Sequence, residues 1–171
     1  MTEIILKLLT PDDVTDQYVK WMADPEVTKF LECRYQSHSI DDIRKFVRNA
    51  NEHDYLFGIF LPGDHGKTHI GNVKIGNVHH IHQYAEIGIM IGDRSKWGKG
   101  YGVAALRLAV AYAFNELNLL RLTTTVYADN TRSYNALVSV GFLECGRMKD
   151  FYYRNGKRDD IVLLEILRDK V

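Results

Sequence analysis

Ala85-Glu86-Ile87-Gly88-Ile89-Met90-Ile91-Gly92 is followed, four residues later, by Trp97-Gly98-Lys99-Gly100-Tyr101-Gly102. The first stretch reads as the end of a strand, Tyr84 to Ile91, and the second as a Gly-rich turn opening a helix from Tyr101 to Leu117. Glycine at alternate positions lets the backbone turn tightly and leaves no side chains in the way of an anion. The helix behind it offers unpaired N–H groups and the positive end of its dipole. Strand, turn and helix together suit a phosphate or pyrophosphate. By itself the pattern also fits a bare structural turn. A P-loop is excluded, because Gly92 is followed five positions on by Trp97, and Lys99 by Gly100. A dinucleotide fingerprint is excluded too. Its third glycine falls on Val103, and its acidic residue falls near Leu122 and Thr123.

Outward from this turn the chain reads as alternating helices and strands. Ile4 to Leu9 is an opening strand. Pro11-Asp12-Asp13 starts a helix to about Ala23, since proline fits a first turn and acids suit the positive helix end. Asp24-Pro25 interrupts it, and Glu26 to Ser39 reads as irregular. A helix from about Asp41 to Asn51 places Ile43, Phe46 and Val47 on one face. Strands follow at Tyr55 to Leu61, Thr68 to Val78 and Tyr84 to Ile91, with turns at Pro62 to Gly66 and His79 to His82. In the helix after the Gly-rich turn, Val103, Leu106, Val110, Ala113 and Leu117 make the buried stripe. Leu122 to Tyr127 is a β-branched strand, and Asn130 to Val140 is a short helix stopped by Gly141. Phe142 to Phe151 and Asp159 to Leu167 are strands joined by a turn at Arg154-Asn155-Gly156-Lys157. This order describes one mixed α/β domain over residues 1–171.

The 171 residues are 46% hydrophobic and 26% charged, enough for an ordinary globular core. Lys plus Arg and Asp plus Glu are 22 each, so the formal net charge is zero. Nucleic-acid and acidic-membrane binders need excess positive charge, so neither partner is expected. The two cysteines, Cys33 and Cys145, make no disulfide framework and read as reduced thiols of a cytoplasmic protein. The helix at Tyr101 to Leu117 contains Arg107 and Asn115 and reads as a core helix, not a membrane span.

The segment Ala85 to Gly92 with Trp97 to Gly102 resembles motif A of the GNAT acetyltransferases. Asn130-Thr131-Arg132-Ser133, ending at Gly141-Phe142, resembles motif B. Within that family, Trp21-Met22-Ala23-Asp24-Pro25-Glu26-Val27 and Arg154-Asn155-Gly156-Lys157 resemble the RimJ/RimL-like branch. The resemblance implies a central, mostly antiparallel sheet of about seven strands flanked by about four helices. It implies acetyl-CoA as co-substrate and no metal. Backbone N–H groups of Trp97, Gly98, Lys99, Gly100, Tyr101 and Gly102 are then expected at the pyrophosphate. Backbone groups of Ile89, Met90 and Ile91 are expected to pair with pantetheine as with an added strand and to orient the acetyl carbonyl, with Asn130 capping its helix at the groove. Trp97 stands where motif A often begins with Gln or Arg, a change that backbone donors tolerate.

An alkylammonium cannot attack a thioester, so a site must take its proton, stabilise the developing oxyanion and reprotonate the thiolate. Glu86, early on the strand before the Gly-rich turn, is the candidate base, directly or through water. The alternative is a strand carboxylate paired with a cation. Many GNAT enzymes place a tyrosine seven residues after the motif-B asparagine, and here that position is Leu137. The resemblance to RimL-like enzymes, where similar positions are proposed acids, makes Ser133 the candidate acid, with Tyr134 the second choice and Ser133 as a coenzyme ligand an equal alternative. Glu32 and Tyr35 in the irregular stretch, with Asp150, Tyr152 and Tyr153 near the last hairpin, are candidate acceptor residues. His79-His80-Ile81-His82 lacks partners at metal-ligand spacing. Arg44-Lys45 and Arg48 read as a solvated helix face.

The segments His69 to Gly76 and Ala85 to Gly102 resemble enzymes that acetylate nucleotide-linked amino sugars. A small-molecule amine is thus the first expectation. The N-terminus of a ribosomal protein is the second, and a silent acyl-coenzyme-A-binding module the third. A second copy of the chain is an allowed partner.

Overall fold

The protein is described from a computed structural model covering residues 3–36, 38–63 and 67–170. The tip of the expected turn after Leu61, residues 64–66, lies outside the described residues.

The described residues form a seven-stranded sheet: β1 (Ile5–Leu8), β2 (Tyr55–Leu61), β3 (Thr68–His79), β4 (Tyr84–Ile91), β5 (Arg121–Tyr127), β6 (Leu143–Arg154) and β7 (Lys157–Leu167). The spatial order is β1-β2-β3-β4-β5-β7-β6. β4 and β5 pair in parallel and the other described pairs are antiparallel. A parallel pair needs a crossover, and α4 (Tyr101–Asn115) supplies it. The four expected helices are present as α1 (Asp16–Ala23), α3 (Ile40–His53), α4 and α5 (Thr131–Val140), with a four-residue helix α2 (Pro25–Thr28) between the first two.

Side-chain alternation splits the sheet into two covered faces. Val73, Ile75, Ala85, Ile87, Leu122 and Leu164 pack with α4 residues Ala105, Leu106, Ala109 and Val110 in one core. Leu56 and Phe60 pack on the other side with Tyr18, Trp21, Ile43 and Val47 of α1 and α3.

Several local expectations are corrected. The first helix is broken. Asp13 reaches back to accept from the N–H and hydroxyl of Thr10, both at 2.8 Å, closing a 3-10 turn at Pro11–Asp13. Val14 is then extended and buried, and α1 starts anew at Asp16. The irregular stretch holds α2 and a second 3-10 turn, Glu32–Tyr35. Phe46 is exposed, and Ala50 takes its place beside Ile43 and Val47. In α4 the buried stripe shifts to Ala105, Leu106, Ala109, Val110, Ala113 and Phe114, while Leu117 lies beyond the helix. The last two strands run further than expected, so the turn between them is Asn155-Gly156, both at positive φ. Arg154 is therefore a strand residue, 4% exposed, and not part of a surface turn.

Candidate active site

The site follows from where two strands part. β4 and β5 pair from Tyr84↔Arg121 to Glu86↔Thr123 and then separate. β4 continues beside β3 as far as Ile91↔Gly71, and β5 beside β7 as far as Tyr127↔Ile161. Their facing edges beyond Glu86 and Thr123 have no strand partner among the described residues. Backbone polar groups in such a position call for another partner, from water or ligand. The cleft between them has a volume of about 810 Å³.

At one end lies the Gly-rich turn. Gly98 and Gly100 have φ of 72° and 82°, a left-handed conformation that other residues adopt only with strain. Gly100 is the N-cap of α4 and has no side chain to shield the first-turn N–H groups. A Cβ on Gly102 would meet nothing closer than 3.8 Å, so the loop is open there. The Trp97 indole N–H donates to the Ile91 carbonyl at 2.7 Å and fixes the ring at the cleft. Across from the turn, Asn130 caps α5, its Oδ1 accepting from the Ser133 N–H at 3.3 Å. Ser133 lines the cleft. Open backbone at Gly98, an uncapped helix start and an unpaired strand edge fit a ligand with an anionic group and an extended amide-bearing arm.

At the other end the cleft meets the sheet face that carries Glu86, Gly88 and Met90 on β4 and Thr123, Thr125 and Tyr127 on β5. Glu86 is exposed and does not line the cleft. It sits two residues before Gly88, which does line it, and a Cβ on Gly88 would meet nothing within 4 Å. That open ground leaves room for water between the Glu86 carboxylate and the cleft.

The irregular stretch closes this end. The Tyr127 hydroxyl donates to Glu32 Oε1 at 2.7 Å, and Arg34 Nη1 donates to the same oxygen at 3.2 Å. Arg34 Nη2 donates to the Tyr127 and Tyr35 hydroxyls, each at 2.8 Å. Tyr35 in turn donates to the Tyr153 carbonyl on β6. Below them Arg154 donates to Asp159 at 2.6 Å and to Asp129 at 2.7 Å. Its guanidinium lies 4.9 Å from the Phe30 ring centroid and 4.8 Å from that of Tyr127. Burial, and next the Glu32 hydrogen bond, pushes the Tyr127 phenol up to about 12. The Arg154 hydrogen bond holds Asp159 below the usual carboxylate range.

Of the expected acceptor residues, Glu32 and Tyr152 line the cleft and Tyr35 ties its wall. Asp150 does not. It sits at a left-handed position (φ 51°) where β6 shifts register, with its N–H bonded to Asp160. In the sequence Tyr127 reads only as a strand end and Arg154 only as part of a turn, and no local pattern marks either for this site.

Residues 3–143 match the family described as "Acetyltransferase (GNAT) domain". The chain belongs to the GNAT acetyltransferase family. It is 29% identical over 132 residues to a spermidine N(1)-acetyltransferase of Vibrio cholerae, covering 77% of this chain and 75% of that protein. It is 31% identical over 113 residues to the [ribosomal protein uS5]-alanine N-acetyltransferase of Escherichia coli, covering 64% and 55%. The fold superposes on the crystal structure of spermidine N-acetyltransferase from Vibrio cholerae in complex with CoA and spermine. That match has a TM-score of 0.86 at 21% identity and covers 99% of this chain and 98% of the other. The protein is accordingly an acetyl-CoA-dependent N-acetyltransferase acting on amines.

Where many GNAT enzymes carry tyrosine, Leu137 is 2% exposed and packs in the α4 core beside the cleft. Tyr134 points elsewhere, its hydroxyl donating to Glu144 at 3.2 Å. The His79 and His82 rings stack on each other at 4.4 Å. Among the described residues no group of three or more His, Cys, Asp or Glu is placed to hold a metal. Among them, too, no helix is long and apolar enough to cross a membrane.

Proposed function

We propose that this GNAT enzyme acetylates a small aliphatic amine carrying more than one positive charge, of the spermidine kind. The observation that carries the reading is that the cleft bears carboxylates beside aromatic rings. Glu26, Glu32 and Asp129 line it together with Phe30, Tyr127 and Tyr152. Carboxylates attract ammonium groups, and aromatic faces attract them further. Tyr35 and Arg34 tie the loop over one end of the cleft to β5 and β6, which suits a small acceptor better than a protein tail lying in an open groove. A nucleotide-linked amino sugar would bring phosphates against the same carboxylates.

Bound acetyl-CoA supplies the activated acetyl thioester. Backbone N–H groups of residues 97–102 hold its pyrophosphate, and the β5-side edge of residues 89–91 orients its pantetheine arm. Glu86 takes the amine proton through water lying over Gly88. Ser133, on the opposite bank, donates to the leaving sulfur. Glu32 and Tyr152 hold the distal ammonium, with Glu32 fixed by Tyr127 and Arg34.

The test is thiol release from acetyl-CoA with three acceptors: spermidine, a nucleotide-linked amino sugar, and a peptide beginning with alanine. The highest kcat/KM should belong to spermidine. Preference for the sugar or the peptide overturns the polyamine reading and leaves the acetyltransferase assignment standing.

A further inference from the structure

We propose that Trp97 and Arg132 form a clasp across the coenzyme cleft, a stacked pair that closes over the bound acyl-coenzyme A and sets how fast it leaves. Trp97 belongs to the Gly-rich bank between β4 and α4, and Arg132 to the first turn of α5 on the facing bank. Both line the cleft. The Arg132 guanidinium carbon lies 4.5 Å from the indole centroid, within cation–π range. This is the one of the two arginines on that ring whose charge is free. Arg94, at 5.6 Å, is ion-paired to Asp24 at 3.3 Å, whereas Arg132 has no carboxylate within ion-pair distance among the described residues.

Nothing in the helix asks for Arg132 at this place. A cation in the first turn opposes the positive end of the α5 dipole. The residue is exposed, so burial does not hold it either. The indole, by contrast, is pinned by its hydrogen bond to the Ile91 carbonyl. A guanidinium stacked on a ring keeps its N–H donors in plane and free. Those donors can meet a coenzyme phosphate while the flat face stays on Trp97, so phosphate and indole stabilise the same arginine conformation. The pair thus links the two banks, and each member depends on the other.

The inference rests on the cleft being the coenzyme site, and the test separates the two. Release of a fluorescently labelled coenzyme A, chased with excess unlabelled coenzyme, is timed in the wild type and in Trp97→Leu, Arg132→Gln and the double variant. Each single substitution should speed release about two- to thirtyfold, the range of one cation–π contact. The double variant should release no faster than the faster single one, because the contact can be lost only once. Arg132→Lys, which keeps the charge without the planar face, should recover only part of the residence time. In the wild type, tryptophan emission should shift on coenzyme binding. The chain has two tryptophans, and Trp21 is 3% exposed, so Trp97 is the reporter. Additive effects in the double variant overturn the clasp, as does full recovery by lysine, which would make Arg132 a plain phosphate charge. A wild type that binds no coenzyme A overturns the site itself.

Discussion

The Tyr127 hydroxyl and the Glu32 carboxylate, 2.7 Å apart, join the end of β5 to the loop before α3. They lie 95 residues apart in sequence, so the acceptor wall exists only after the sheet has formed. Tyr127→Phe tests that joint. Phenylalanine keeps the ring contacts with Phe30, Tyr152 and Arg154 and removes only the hydroxyl. With Glu32 held by Arg34 alone, KM for the amine should rise up to about tenfold, the size of one charge-assisted hydrogen bond, while acetyl-CoA affinity holds. The phenol, pushed up to about 12, stays protonated across the working range. The ratio of wild-type to variant KM should therefore be flat from about pH 6 to 9. A ratio that changes with pH in that window would mean that Tyr127 itself transfers a proton.

Gly102→Val separates loop strain from ligand obstruction. A Cβ at Gly102 meets only ordinary contacts at 3.8 Å, and the backbone there has no positive φ. The folded protein should tolerate the valine, with unchanged far-UV dichroism, and acetyl-CoA affinity should fall at least about tenfold as the side chain enters the pyrophosphate site. Gly100→Val is the poorer probe, because φ is 82° and the strain alone can disturb α4. Calorimetric affinity equal to wild type in Gly102→Val would move the pyrophosphate off this turn.

What the sequence disclosed follows from the range of each interaction. The Gly-rich turn, the Asn130 cap and the Gly141 stop are local, set by residues within one or two turns of each other, and the structure places them as read. The alternating apolar runs likewise locate the strands. The acceptor end is built from contacts between distant segments. Arg154 directly precedes Asn155-Gly156 and reads as a turn residue, yet it is buried beside Phe30 and Tyr127, which no local pattern announces. The break at Val14 is not legible in the sequence for a related reason. Helix-start residues at Pro11 to Asp13 fit a long helix equally well, and only the need to bury Val14 cuts it short.

Arg154→Met probes the buried ion cluster through pH. Asp159 is held below the usual carboxylate range by its hydrogen bond from Arg154. A carboxylate with a lowered folded value binds fewer protons folded than unfolded, so it adds stability above its unfolded pKa and loses it as pH falls through the folded one. Wild-type Tm should therefore drop as pH is lowered from about 5 towards 3. In Arg154→Met that acid-side slope should flatten and Tm near neutral pH should be lower, because Asp129 loses its partner and Asp159 keeps only the exposed Lys157 at 3.5 Å. KM for the amine should rise as well, since the Tyr127 ring loses its support. Retention of the full acid-side slope would assign it to other carboxylates, such as Asp13 beside Lys7.

Glu86 and Ser133 stand on opposite sides of the reaction, and pH tells them apart. If Glu86 is the base proposed above, Glu86→Gln should lower kcat about 100-fold while acetyl-CoA affinity stays near wild type. The loss should shrink at high pH, where the free amine is more abundant and needs no base. Ser133 borders the cleft from α5, and in the proposed reaction it serves the leaving sulfur. The defect of Ser133→Ala should persist as pH rises and ease with acyl donors whose thiol is more acidic, because a better leaving group needs less help. Leu137, buried at the position where many GNAT enzymes carry tyrosine, cannot stand in as a donor. If Glu86→Gln turns over like wild type at every pH while Glu32→Gln does not, proton removal belongs to Glu32, the carboxylate already fixed by Tyr127 and Arg34. If Ser133→Ala loses coenzyme affinity alone, the serine is a binding group and the sulfur takes its proton from water.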